Sequence, residues 1–163
     1  MNSQVFLSQT RHRDPAREAI YPMHTPKILV ADDEEGIREL IADILAGAGC
    51  DVVAVCDGQQ AWEELHRRQY DLLVTDNDMP CLSGLELIER IRKGGTTMPI
   101  IVASGTFAAE SIGKDPRLQV TAFLAKPFYP QELLRAVRRA LGTGCEVNGR
   151  AGWHAELIES SGC

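Results

Sequence analysis

From Lys27 onward, short apolar runs alternate with stretches whose apolar residues recur at helical spacing. Ile28 to Ala31 predicts a first strand that ends in Asp32-Asp33. Ile37, Leu40, Ile41, Ile44, Leu45 and Ala48 then mark one face of a helix, with Gly47 and Gly49 at its end. Val52 to Val55 gives a second strand, and Gly58 to Arg67 a helix carrying Ala61, Trp62 and Leu65. Leu72 to Thr75 forms a third strand that closes on Asp76. Met79-Pro80 and Ser83-Gly84 punctuate the next loop before a helix through Leu85, Leu87, Ile88 and Ile91. Pro99 opens a fourth strand, Ile100 to Ala103. Between Thr106 and Thr121 the apolar stripe is thin and interrupted by Gly113 and Pro116, which predicts a short fourth helix and a loop. Ala122 to Ala125 is a fifth strand. Leu133, Leu134, Val137, Ala140 and Leu141 line a last helix that starts at Pro130.

Strands that are apolar throughout, each followed by a helix, imply an α/β fold with a parallel sheet covered on both faces. The segment 26–141 is therefore expected to be the folded domain. Residues 1–25 are polar, without a sustained apolar face, and read as a loose extension; with Met23 just ahead of the first strand, residues 1–22 could lie upstream of the native start. Residues 142–163 are glycine-rich and too short for an output domain, so a frayed tail is expected. The competing reading is a docking turn around Trp153, Leu157 and Ile158.

With 163 residues, 44% hydrophobic and 25% charged, the chain holds one core of ordinary size. The net charge of -6 gives no general attraction to phosphate backbones or anionic lipid, so neither nucleic acid nor membrane is an expected partner. No apolar run approaches the roughly 20 residues of a membrane span, and a cytoplasmic location is the default. The five cysteines are odd in number, widely spaced and without a C-x-x-C pair. They are expected to be reduced, packing as small hydrophobes.

In an open doubly wound sheet, ligands bind beyond the carboxyl ends of the strands, where the strand order reverses. With the order 2-1-3-4-5, Asp32 and Asp33 after strand one adjoin Asp76 after strand three. Three clustered carboxylates repel one another unless a cation lies among them. An all-oxygen set that leaves room for water and phosphate suits Mg²⁺. Ser104 ends strand four and Lys126 follows strand five, so a hydroxyl and an ammonium reach the same edge. Such a set binds a phosphoryl group, with Asp76 placed to attack phosphorus and form an acyl phosphate.

Asp32-Asp33, Asp76-x-x-Met79-Pro80, Ser104 and Lys126-Pro127-Phe128, in that order at successive strand ends, resemble the receiver domain of bacterial two-component response regulators. The resemblance spans Lys27 to about Leu141 and implies a flavodoxin-like (βα)5 fold. It implies that Asp76 takes phosphoryl from a histidine kinase or phosphotransfer protein. Asp33 would ligate Mg²⁺ with help from Asp32, Asp76 and the backbone carbonyl of Asp78, while Lys126 and Ser104 hold the phosphate. A cis peptide before Pro127 and a switch coupling Ser104 to Phe123 are also implied, as is a dock for the histidine protein on the first helix. The protein would be a monomer or weak dimer, a switch rather than a metabolic enzyme, passing its signal to another protein.

Asp78 departs from the expected pattern: its carboxyl faces solvent, strengthens metal binding or repels phosphate. Arg135, Arg138 and Arg139 on the last helix read as a solvated face. Two alternatives compete with the switch. Asp76-Asn77-Asp78 resembles the D-x-D opening of haloacid-dehalogenase-like phosphohydrolases, although no cap-sized insertion is evident. The fold could also serve as an interaction module that is never phosphorylated.

Overall fold

The computed structural model describes residues 24–105, 115–142 and 155–157, the last three as backbone only. In chain order the elements are β1 (Lys27–Ala31), α1 (Glu35–Gly47), β2 (Asp51–Val55), α2 (Gly58–Arg67), β3 (Leu72–Thr75), α3 (Gly84–Lys93), β4 (Ile100–Ser104), β5 (Ala122–Ala125), α4 (Pro130–Leu141) and β6 (Ala155–Leu157). The sheet order is β5-β4-β3-β1-β2-β6, and every pairing is parallel. The expected order 2-1-3-4-5 is contained in it. The expected short fourth helix falls mostly on residues 106–114, outside the described ones, and 115–121 form a turn and loop.

Alternation along each strand explains the two layers. Ile28, Val30, Val52, Ala54, Leu72, Val74, Ile101 and Ala103 face one way, against Ile41 and Leu45 of α1 and Leu133 and Val137 of α4. Leu29, Ala31, Val53, Val55, Leu73, Ile100 and Val102 face the other way, against Ala61 of α2 and Leu87, Ile88 and Ile91 of α3. Each fully buried leucine or isoleucine contributes roughly 2 kcal/mol.

Local chemistry sets the helix starts. The Asp57 carboxylate accepts the Gln60 N–H at 2.7 Å and caps α2. Ser83 and Glu86 exchange hydrogen bonds as a capping box that starts α3. Pro130 occupies the first turn of α4, and the Tyr129 N–H donates to Glu132 Oε2 at 2.8 Å.

Two expectations are corrected. The tail does not simply fray, because residues 155–157 form β6 and pair with β2. Three residues behind a glycine-rich lead are too few to show a strand period. The cysteines are not all reduced, because Cys56, directly after β2, is disulfide-bonded. With five widely spaced cysteines and no C-x-x-C pair, no local spacing marks which of them is bonded. The loose extension falls outside the described residues except for its end, where His24 Nε2 lies 2.9 Å from Asp71 Oδ2. No helix among the described residues is long and apolar enough to cross a membrane.

Candidate phosphoryl-acceptor site

The sheet ladder itself brings the acidic residues together. The Asp32 N–H donates to the Val55 carbonyl at 3.2 Å, and the Asp76 N–H to the Ala31 carbonyl at 2.8 Å, so both aspartates sit one step beyond the β1 and β3 pairings. Carboxylate oxygens of Asp32, Asp33 and Asp76 all lie within 4.8 Å of one another. Asp32 is 1% exposed and Asp76 5%, whereas Asp33 is open to solvent.

Lys126, the residue after β5, reaches into this group. Its Nζ lies 2.8 Å from Asp76 Oδ2, 2.8 Å from Asp32 Oδ2 and 3.6 Å from Glu34 Oε1. The Asp76 contact is a hydrogen bond. The Asp32 contact is an equally close ion pair with the same ammonium. Burial pushes the Asp32 carboxyl above the ordinary aspartate range, despite the downward pull of Lys126 and the Glu34 N–H. Burial also works against the Lys126 ammonium, but Asp32 and Asp76 outweigh it and hold its pKa above the ordinary lysine value. One cation is thus shared by two buried anions, with a third anion beside them.

This donor set fits a small hard dication. The candidate ligands are all carboxylate oxygens, the two buried aspartates share a single ammonium, and Asp33 leaves the site open to water.

The acceptor oxygens are held differently. Asp76 Oδ1 accepts the N–H groups of Asn77 and Asp78, the latter at 3.4 Å, while Oδ2 faces Lys126. Gly84 lets the start of α3 press against this loop: a Cβ there would strike the Asp76 carbonyl and Asn77 Cα. The Gly84 N–H donates to the Asn77 carbonyl at 3.0 Å. The Lys126–Pro127 peptide is cis, as the resemblance implied.

Ser104 is buried at the end of β4 and stands opposite Ala125 in the ladder, and its carbonyl accepts the Lys126 N–H at 3.0 Å. Phe123 is half-buried opposite Val102, two residues before Ser104 and therefore on the same face of the sheet. Asp78 is exposed, accepts from Asn77 Nδ2 at 3.0 Å, and lines a cleft of about 660 Å³ with Asp33, Asp76, Gly105 and Lys126.

Sequence reasoning missed three contributors. Arg38 Nη1 donates to the carbonyls of Asp32 at 2.8 Å and Asp33 at 3.4 Å, fastening the acidic loop to α1. Its position one turn into the helix was the available signal. Glu34 adds a carboxylate within reach of Lys126, and Gly84 makes room for the acceptor loop.

Comparison with known proteins agrees with this geometry. Residues 28–138 match the family model described as the response regulator receiver domain. The chain is 38% identical over 122 residues to the phosphate regulon transcriptional regulatory protein PhoB of Pseudomonas aeruginosa, covering 72% of this chain and 53% of that protein. It therefore spans about half the length of that relative. A chemotaxis protein CheY homolog of Campylobacter jejuni is 34% identical over 122 residues, covering 72% of this chain and 94% of that one. Among solved structures, the chemotaxis response regulator CheY4 of Vibrio cholerae superposes with a TM-score of 0.66 at 28% identity, covering 72% of this chain and all (100%) of that one. With the acidic triad, the lysine and the fold in agreement, the chain belongs to the response regulator receiver domain family.

Proposed function

We propose that this chain is a phosphorylation switch in which Asp76 accepts a phosphoryl group from a phosphohistidine on a kinase or phosphotransfer protein. The observation that carries the reading is the Lys126 ammonium 2.8 Å from Asp76 Oδ2, inside a group of three carboxylates. In the transfer, an Asp76 carboxylate oxygen attacks phosphorus, the P–N bond breaks, and the imidazole leaves with its electron pair. Backbone N–H groups of Asn77 and Asp78 orient the nucleophile through Oδ1. Lys126 meets charge growing on the phosphoryl oxygens, and the Ser104 hydroxyl supplies a further donor. Mg²⁺ held by Asp32, Asp33, Asp76 and the carbonyl of Asp78 would supply the remaining charge neutralisation.

Ile37, the half-exposed Leu40 (49%) and Phe128 line the same cleft as the acidic residues, giving the anionic pocket an apolar wall. That wall suits an α-helical histidine donor. The shared face of Ser104 and Phe123 supports a readout in which the hydroxyl moves toward the phosphate and the aromatic ring follows. The signal would then pass by protein contact in the cytoplasm, with no direct DNA binding by this domain and at most weak dimerisation. The receiver-family match favours the switch over the phosphohydrolase reading.

Incubation with Mg²⁺ and a small acyl-phosphate donor tests the reading. One phosphoryl group should add to the wild type and be lost on hydroxylamine treatment, while Asp76→Ala gains none. Equal labelling of both proteins, or no labelling of either, would overturn it.

A further inference from the structure

Asp33 is the exposed member of the acidic triad, so burial does not aim its carboxylate. Its direction is set by the backbone on either side, through the two soft torsions at its Cα. Arg38 holds both of the flanking peptides. Its Nη1 donates to the Asp32 carbonyl at 2.8 Å, ahead of that Cα, and to the Asp33 carbonyl at 3.4 Å, behind it. Two further bonds fix the same stretch: the Asp32 N–H donates to the Val55 carbonyl of β2, and the Glu34 N–H to Asp32 Oδ1 at 3.0 Å. The second of these leans on a carboxylate of the triad itself. Arg38, half-buried on α1, braces the Asp33 backbone from outside the triad.

We propose that Arg38 is a positioning residue for the metal: it aims the Asp33 carboxylate through the backbone, and its loss weakens Mg²⁺ binding although it carries a positive charge. The proposal rests on the reading of the triad as a Mg²⁺ site. Two effects of Arg38 oppose each other. As a cation beside the triad it repels a dication, so removing it would tighten binding. As a brace it orders Asp33 before the ion arrives, so removing it would loosen binding.

Magnitudes decide between them. Arg38 is partly exposed, so at about 0.15 M salt the repulsion is screened and worth a few-fold. Fixing the backbone of one residue is worth about five- to thirtyfold in an equilibrium constant. Hydrogen-bond partners behind metal ligands change affinity by about ten- to a hundredfold. The brace therefore outweighs the charge.

Calorimetric titration of the full chain with Mg²⁺, at low and at high salt, provides the test. Arg38→Met keeps the apolar stem and removes both the charge and the donors; its Kd should rise by about tenfold. The rise should persist at high salt, because a hydrogen-bonded brace is not screened as a charge effect is. Arg38→Lys keeps the charge without the planar fork and should fall between the two, which keeps the test decisive if Arg38→Met does not fold. Mg²⁺ binding that is unchanged or tighter in the folded variants would overturn the proposal and leave the metal site standing. A wild type that takes up no Mg²⁺ would overturn the reading of the site and the proposal with it.

Discussion

Lys126 is the residue on which the site's electrostatics turn, because its ammonium pairs with the carboxylates of both Asp32 and Asp76. Removing it leaves two buried carboxylates facing each other, a change that costs about 3 kcal/mol when one partner of a buried pair is lost. Lys126→Met should therefore unfold at lower denaturant at neutral pH. The sign of the pH dependence follows from Asp32, whose folded pKa already lies above its ordinary value. A group of that kind favours the folded state at low pH, and its contribution is lost as pH rises through the folded pKa. The gap between wild type and Lys126→Met should accordingly narrow as the pH falls into the carboxylate range. A gap that is constant from pH 7 to about 4 would refute the repulsion account. Asp78 acts at the mouth of the same cleft, held by Asn77. If its carboxylate repels the phosphoryl oxygens or orients the hydrolytic water, Asp78→Asn should lengthen the acyl-phosphate lifetime several-fold, as read by loss of label over time. Identical decay would leave Asp78 as a solvated side chain.

At the scale of elements, the start of α3 is the tightest constraint on the acceptor loop. The Cβ of Gly84→Ala would meet backbone atoms of Asp76 and Asn77 rather than a yielding side chain, so the loop itself must shift. Overpacking of this kind costs about 1–3 kcal/mol, and the shift should also slow phosphorylation of Asp76. Gly36→Ala on α1 is the matched control, because its Cβ meets nothing within 4 Å. It should stabilise by up to about 1 kcal/mol through helix propensity and leave labelling unchanged. Comparable losses in both variants would show that helix sequence, not loop crowding, is responsible. The contrast also marks what the sequence could reveal. The apolar runs at Ile28, Val52, Leu72 and Ile100 were legible because those strands are buried on both faces, and the run at Ala122 because it is apolar throughout although only partly buried. The carboxylates were legible because they fall at strand ends. Gly84 was visible only as a turn residue, since close approach between α3 and Asp76 depends on tertiary packing. β6 escaped because its pairing partner, β2, lies about a hundred residues away and a strand that short has no period of its own.

Across the whole molecule, the acidic site couples binding to stability because its ligands come from separate parts of the sheet. Asp32 and Asp33 follow β1, Asp76 follows β3, and unfolding separates them. A cation bound only by the folded state must therefore stabilise the entire domain by mass action, by about 2.7 kcal/mol at a hundred times its dissociation constant. For a domain of this size that is a rise of several degrees in Tm. The Asp33 carboxylate is exposed and contributes little to packing, so Asp33→Asn should unfold within about 0.5 kcal/mol of wild type when no metal is present. Its difference should emerge only on titration with Mg²⁺, where the wild type climbs and the variant stays flat. Ca²⁺ should serve less well, since its longer bonds and higher coordination number suit a looser cage than three carboxylates at two strand ends. A Tm that rises equally in wild type and Asp33→Asn would place the ion elsewhere. A wild type that fails to respond at all would mean that Lys126 alone balances the acidic cluster and that phosphoryl transfer here proceeds without a metal.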